Sequence, residues 1–255
     1  MLISVVIHTL NSDGTIRRCL ESVKGFDEII VCDMYSSDNT LAIAREYGAR
    51  IVMHDPCGIV EPARAFAIGH ASGDWALVID SDEVVPPDLE DYLYLVLSQP
   101  NPADGLLLPR KNYFMDRFMR SSFPDYQLRF FRKDKFTGWP ATIHSRPHIN
   151  GRLGKAPARK SLSIIHLDKN RVSDVVSKTL RYAEHETEHK SKRDNIGLLI
   201  LKPAYRFVKM YILKGGFLDG RAGFVYAALS MFCRFLVLSK GIEDKTLSAK
   251  TKLQL

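Results

Sequence analysis

Cysteine is scarce in this chain and carries no pattern. The four cysteines, Cys19, Cys32, Cys57 and Cys233, show no Cys-x-x-Cys spacing. A disulfide framework is thereby excluded, and reduced, buried thiols in a cytoplasmic protein are expected. No secretory leader is expected, because Met1 runs straight into a strand-like segment with no basic stretch before it. No uncharged run reaches the ~18 residues of a spanning helix, so no membrane-crossing segment is expected. Internal repeats and low-complexity tracts are absent, which excludes repeat architectures. A recognised nucleic-acid module is lacking too, so nucleic acid is not expected as a partner.

What remains is an ordinary globular composition. The 255 residues are 45% hydrophobic and 25% charged, enough for one large domain or one and a half. The formal charge of +7 and a pI near 9.2 point to an anionic partner such as nucleotide phosphate or anionic lipid.

Strands and helices alternate over the first hundred residues. Ile3-Ser4-Val5-Val6-Ile7 is a β-branched strand, and Ile16, Cys19, Leu20 and Val23 share one helical face that Gly25 closes. Glu28-Ile29-Ile30-Val31-Cys32-Asp33 is a second strand. Ser36-Ser37-Asp38 offers caps to a helix through Tyr47, with Gly48 at its end. A short strand over 49–54, a helix over about 61–71 and the run Trp75-Ala76-Leu77-Val78-Ile79 follow. This alternation implies a mostly parallel, Rossmann-like α/β sheet with right-handed crossovers. Beyond residue 97 the pattern loosens. Leu106-Leu107-Leu108 and Gln127-Leu128-Arg129-Phe130-Phe131 read as strands, 140–157 as loop, and the chain beyond Lys169 as helical and basic. The expected division is a catalytic domain over 1–170, with a nucleotide-binding half (1–97) and an acceptor half (98–170), then a basic helical region over 171–255.

Asp80-Ser81-Asp82-Glu83 ends the fourth strand. Ligands of open α/β sheets bind at the carboxyl ends of strands. Two carboxylates one residue apart there can hold a divalent metal against a pyrophosphate, since Mg²⁺ takes one or two carboxylates and fills its shell with phosphate oxygens and water. The other reading is a solvated turn before the helix that follows Pro86-Pro87. The first, second and fourth strands bring Thr9-Leu10-Asn11, Asp33 and Asp80-Ser81-Asp82 around one crevice, a site shaped for a nucleoside diphosphate. Asp33 reads as an acceptor for a base N–H or as a cap before Ser36, and Arg64 as a diphosphate contact or a solvated helix residue.

Four stretches together resemble family 2 glycosyltransferases. They are Ser4-Val5-Val6-Ile7, the segment from Asp33 through Ser37-Asp38-Asn39-Thr40, Gly73-Asp74-Trp75 through Asp80-Ser81-Asp82-Glu83, and Pro124-Asp125-Tyr126-Gln127-Leu128-Arg129-Phe130-Phe131-Arg132. More narrowly they are similar to the bacterial lipopolysaccharide-core β-glucosyltransferases, a resemblance that extends to Leu218-Asp219-Gly220. It implies the GT-A fold, an inverting mechanism, a UDP-sugar or other nucleotide-sugar donor, and Mg²⁺ or Mn²⁺. It also implies roles: Asp33 on the uracil or other base, Thr9 and Asn11 along the nucleoside, Asp80 on the ribose or metal, Asp82 on the metal, and Asp125 as catalytic carboxylate. Two positions depart from the family, Ser12 where Glu usually follows Asn, and Ser145 where His-Glu is expected. An acceptor hydroxyl needs a carboxylate to take its proton, so Asp125 is expected to be the base, with His144 and His166 as metal, diphosphate or structural histidines.

The C-terminal region mixes apolar faces (Leu198-Leu199-Ile200-Leu201, Phe207, Met210, Tyr211, and 224–238) with Lys202, Arg206, Lys209, Lys214 and Arg234. Basic amphipathic helices of this kind lie in the plane of anionic membranes; the alternative is packing on the catalytic domain or on a twin subunit. The whole reads as a glycosyltransferase acting on a lipid-linked or lipopolysaccharide-core acceptor, peripheral on the cytoplasmic face of a bacterial inner membrane. A sugar-phosphate nucleotidyltransferase is disfavoured, because the loop over 8–14 has one Gly and no Lys. A non-catalytic adaptor derived from such an enzyme is the remaining alternative, kept open by Ser12 and Ser145.

Overall fold

β-branched and apolar residues in unbroken runs make strands that are buried on both faces. Strand β1 (Ile3–Thr9) is buried along its full length, and so are the first five residues of β4 (Trp75–Asp80). In this computed structural model the described residues are all except 57, 143–144, 168–171, 174, 178, 181–195 and 254–255, with backbone alone for 196 and 244–253. They form two units, Met1–Asn112 with Pro124–Leu167, and Tyr113–Phe123 with Asp168–Leu255. The boundary expected at 170 lies outside the described residues, and 113–123 groups with the second unit.

In the first unit, α1 (Asp13–Glu21), β2 (Glu28–Asp33), α2 (Thr40–Glu46), β3 (Arg50–Met53) and α3 (Glu61–Gly69) join β1 to β4 by parallel crossovers. Along the chain then come β5 (Glu83–Val84), α4 (Pro87–Ser98), β6 (Gly105–Phe114), β7 (Arg117–Phe118, in the second unit), β8 (Asp125–Arg132), β9 (Phe136–Gly138), β10 (His148–Ile149), β11 (Leu153–Lys155) and β12 (Ile164–His166). The main sheet runs β3-β2-β1-β4-β8-β6-β12-β5. β8 is antiparallel to both β4 and β6. Side chains alternate across the sheet. Val5, Ile7, Leu77 and Ile79 pack with α1 and α4, while Val6, Ile30, Ala76 and Val78 pack with Ala63, Ala67 and Ile68 of α3. The stretch 140–157, expected as loop, contains β10 and β11. Two- and three-residue strands are too short to show a period of two, which is why the sequence pattern missed them.

The second unit contains β7, paired with the end of β6 through Tyr113 and Phe118. Its helical segments include α5 (Ile196–Val208), a π turn (Lys209–Leu213), a 3₁₀ turn (Gly216–Asp219) and α6 (Gly220–Leu253). Phe114, Met119, Ala222 and Leu229 form its small core. Asp219 is buried there and accepts the Ser121 amide. The turn between α5 and α6 is close-built. A Cβ on Gly216 would lie 2.6 Å from the Met210 carbonyl, and one on Gly223 2.0 Å from the Gly216 carbonyl.

The expectation that no segment could cross a membrane needs correcting. Gly216–Glu243 is long and apolar enough by length and composition, with a mean hydropathy of 1.7 in its best window. Arg234 interrupts the uncharged run, but an 18-residue window tolerates it.

Candidate active site

Parallel pairing in register fixes where the strand ends meet. Thr9 lies opposite Asp33, and His8 opposite Asp80. The three loops that follow β1, β2 and β4 therefore open on one edge of the sheet, the usual ligand edge of such folds.

The first two loops are tied by a buried carboxylate. Asp33 is fully enclosed. It accepts from Thr9 Oγ1 at 2.6 Å, from the Ser36 amide at 2.7 Å and from Ser36 Oγ at 2.6 Å. Asn11 stands at φ +50° and donates its amide to Ser36 Oγ, while its Oδ1 accepts the Ser37 amide at 2.9 Å. Thr9, Asn11 and Asp33 thus come together as expected, with Asp33 facing inward and ordering the loop. Leu10 is exposed beside them. Ser12, where the resemblance would have Glu, accepts a hydrogen bond from Ser81 Oγ at 2.9 Å.

Asp80 is gripped from both sides. Arg64 Nη2 donates to its Oδ1 at 2.5 Å and Arg129 Nη2 to its Oδ2 at 2.6 Å. The guanidinium of Arg64 also lies over the Trp139 ring, a cation–π contact. Burial works against the ionised form of Asp80, but Arg129 and Arg64 hold its carboxyl well below the usual range. His8, beneath them, is pushed down to about 3 by burial and by Arg64, so it is neutral. Arg64 is therefore neither a solvated helix residue nor free for a diphosphate as it stands.

The chain of charges continues. Glu83, fully buried, accepts the Asp80 amide at 3.0 Å and Arg110 Nη1 at 3.0 Å. Arg110 turns its other edge to Asp125, with Nε at 3.0 Å and Nη2 at 2.7 Å from Oδ2. Asn112 Nδ2 donates to the same Oδ2 at 3.1 Å, and Gln127 Nε2 to Oδ1 at 2.8 Å. Burial opposes ionisation of Asp125, yet Arg110 and these donors bring its pKa below the ordinary value. Arg110 and Asp125 are direct partners across β6 and β8.

Asn112 carries the network to the metal candidate. Its Nδ2 donates to Asp125, so its Oδ1, 3.0 Å from His166 Nδ1, must be met by an Nδ1–H. The lone pair of a neutral His166 ring then sits on Nε2, which lies 3.3 Å from Asp82 Oδ2. Two lone pairs facing at that distance require a positive charge between them. A proton meets the need: burial lowers the His166 pKa, but the Asp82 contact outweighs it and the net shift is upward. A divalent cation meets it equally well, because a carboxylate oxygen and an imidazole nitrogen are ordinary ligands for Mn²⁺. The donor set fits a cation that takes two protein ligands and fills its shell from substrate. Among the described residues no group of three or more His, Cys, Asp or Glu side chains converges. Asp82 is also the more open carboxylate, its side chain 36% exposed.

Sequence reading missed Arg110, Asn112, Gln127 and Arg129. A signal existed: Asp125, Gln127 and Arg129 recur at i, i+2, i+4 and share a strand face. His144 lies outside the described residues.

The sequence model described as Glycosyl transferase family 2 matches residues 4–151. An uncharacterised glycosyltransferase of Rickettsia typhi is 28% identical over 93% of this chain and 86% of its own. LpsC of Rhizobium meliloti, a lipopolysaccharide core biosynthesis glycosyltransferase, is 24% identical over 97% of this chain and 94% of its own. Among solved structures, the mannosyltransferase PcManGT of Pyrobaculum calidifontis covers 95% of this chain and 87% of its own at TM-score 0.59 and 12% identity. TarS of S. aureus, residues 1–349, covers 96% and 92% at TM-score 0.51 and 17% identity. These likenesses are of GT-A fold.

Proposed function

This chain belongs to glycosyl transferase family 2, and we propose that it moves a sugar, with inversion, from a nucleoside-diphosphate sugar to a lipid-linked or lipopolysaccharide-core acceptor. The observation that carries the reading is the shared sheet edge, where Thr9-Leu10-Asn11, Asp33 and Asp80-Ser81-Asp82 meet and Asp82 faces His166. The nucleoside lies along Thr9, Leu10 and Asn11, on the loop that Asp33 orders through Ser36. Asp80, held ionised by Arg64 and Arg129, presents the ribose end, with Ser81 beside it. Asp82 and His166 are the residues that would hold Mg²⁺ or Mn²⁺, which would supply positive charge against the departing diphosphate. Support for donor and cation comes from PcManGT, a structure determined with GDP-Man and Mn²⁺. UDP follows from the family resemblance.

Asp125 is the proposed base. Its Oδ2 is locked by Arg110 and Asn112, whereas Oδ1 takes one donor, the side chain of Gln127. An acceptor hydroxyl that displaces Gln127 meets a carboxylate already ionised at neutral pH. The lowered pKa reduces its pull on the proton, so the same arginine that aims the base also weakens it. Acceptor class is supported by the LpsC likeness. It goes with a place at the cytoplasmic face of a bacterial inner membrane, the basic second unit contributing affinity for anionic lipid.

The test is a thermal-shift series with UDP-glucose, UDP-GlcNAc and GDP-mannose, each with and without Mn²⁺. A ligand bound only by the native state raises the melting temperature by mass action. A cation-dependent rise with one donor, followed by release of its nucleoside diphosphate on turnover, is expected. No rise with any nucleotide sugar would leave the adaptor reading in its place.

A further inference from the structure

The second unit exposes apolar side chains where a helical hairpin turns. Leu201, Tyr205, Ile212, Leu213, Phe217 and Leu218 are each between 53% and 66% exposed. Leu201, Tyr205, Val208 and Ile212 fall at i, i+4, i+7, i+11 and so share one face of α5 and its continuation. The turn that carries the last four of the six is built tightly. Gly215 and Gly220 adopt φ of +69° and +62°, and Gly216 and Gly223 allow backbone contact that a Cβ would block. Behind the tip, Tyr211 packs edge-on against Phe217 and Phe224. This is a shaped apolar projection, not a frayed end.

Its charge says what covers it. Residues 196–239 carry Lys202, Arg206, Lys209, Lys214, Arg221 and Arg234 against a single acid, Asp219, and Asp219 is buried. The tip is therefore apolar within a basic collar. A second copy of the chain fits badly, because a two-fold interface sets the same patch against itself and would oppose collar to collar. A spanning helix is the competing occupant, since Gly216–Glu243 is long and apolar enough by length and composition, but its charges fall badly for a span, with Arg221 and Arg234 bounding the apolar part next to the tip. The longest uncharged stretch of α6 near the tip is the twelve residues from Ala222 to Cys233, ~18 Å against a ~30 Å hydrocarbon core. Apolar residues ringed by lysine and arginine match an anionic bilayer surface, with the apolar groups below the headgroups and the cations at them.

We propose that this hairpin tip is a membrane anchor that inserts shallowly into an anionic lipid surface through Ile212, Leu213, Phe217 and Leu218, with Lys209 and Lys214 at the headgroups. This deepens the lipid-acceptor reading and rests on it for its purpose, but it is tested on binding, not on turnover.

The full chain is sedimented with vesicles of phosphatidylcholine alone or mixed with phosphatidylglycerol. Binding should favour the anionic vesicles and weaken between 0.1 M and 1 M salt, as the screening length falls from ~10 Å to ~3 Å. Leu213→Asp with Leu218→Asp should lower anionic-vesicle binding at least tenfold while leaving the melting temperature unchanged. Leu218→Trp supplies a second readout that does not depend on losing function. Its emission should shift to the blue and be quenched by brominated acyl chains, which do not reach Trp75 and Trp139, both buried. The proposal is overturned by equal binding of the double variant and wild type, by no quenching of Leu218→Trp, or by equal binding to both vesicle types. A dimer dispersed by the double variant would assign the tip to a second copy, and binding that survives an alkaline carbonate wash would make the segment a spanning one; either overturns the proposal. Vesicle binding without any nucleotide-sugar shift would instead break the transferase reading and leave the anchor standing.

Discussion

In the first unit Arg64, Arg129 and Glu83 are enclosed, with Arg110 and Asp125 half-buried, while in the second Leu201 and Leu213 stand two-thirds exposed. Each region inverts the usual placement of its residue type, charges being almost never buried unless paired. The costs differ. The linked charges in the first unit are tolerable because Asp80, Glu83 and Asp125 each face an arginine, in a chain from Arg64 through Asp80, Arg129, Glu83 and Arg110 to Asp125. Exposed leucines in the second unit cost little in the free chain, but among the described residues they have no covering partner. One inversion is closed on itself and the other is open to an outside surface. Natural sequences break local rules chiefly where function requires it.

The largest effect should come from the open end of the charged chain. Asp82→Ala removes the carboxylate that faces His166 at 3.3 Å. Turnover should fall below detection and donor binding should lose its dependence on Mn²⁺, while urea unfolding stays near wild type because Asp82 is part-exposed. Wild-type turnover undiminished in excess chelator would remove the cation from the reaction and make Asp82 a turn residue.

Next is Asp125→Asn, which keeps size and loses the proton acceptor. The rate should fall by ~10²–10⁴, the usual share of general-base catalysis, with donor affinity little changed. A matching loss of donor affinity would show that Asp125 acts through Arg110 and Asn112 on the diphosphate side. Gln127→Ala separates the cases further: if Oδ1 is the working oxygen, removing its one donor should leave the rate equal or higher.

Much of this site was legible in the sequence and part was not, for a physical reason. Strand ends carrying Thr9, Asn11, Asp33 and Asp80 followed from local patterns, since parallel strands joined by short helices leave little freedom in register. The partners of Asp125 depended on how β8 meets β6, a pairing with a register shift between Leu106 and Leu107. No local rule states that shift, so Arg110 and Asn112 could not be assigned to Asp125 from spacing. Ser12 read as a missing family carboxylate; in the structure it bonds Ser81, which accounts for the residue present without replacing the charge lost.

Third in size is a stability effect inside the closed network. Glu83→Ala leaves Arg110 with one acid in place of two and deprives Arg129 of a neighbour at 3.6 Å. Breaking a buried pair by removing one partner costs ~3–5 kcal/mol, read as the loss of unfolding free energy in urea. A cost below ~1 kcal/mol would mean that water reaches the site and screens the arginines.

The smallest effect should fall on the exposed face, and its smallness is the informative part. Leu201 is 66% exposed on α5, so Leu201→Ser removes little buried surface. Substitutions at such positions stay within ~0.5 kcal/mol, whereas truncating a buried leucine costs ~2–5 kcal/mol through lost contacts and the cavity left behind. Unfolding of the two variants, Glu83→Ala and Leu201→Ser, in the same urea series therefore tests the contrast directly. A difference of several kcal/mol keeps the closed network and the open face distinct. If Leu201→Ser costs as much as a core truncation, the face is covered within the free protein. It would then be neither an open surface nor available to lipid, and the second unit would be an ordinary packed helical pair.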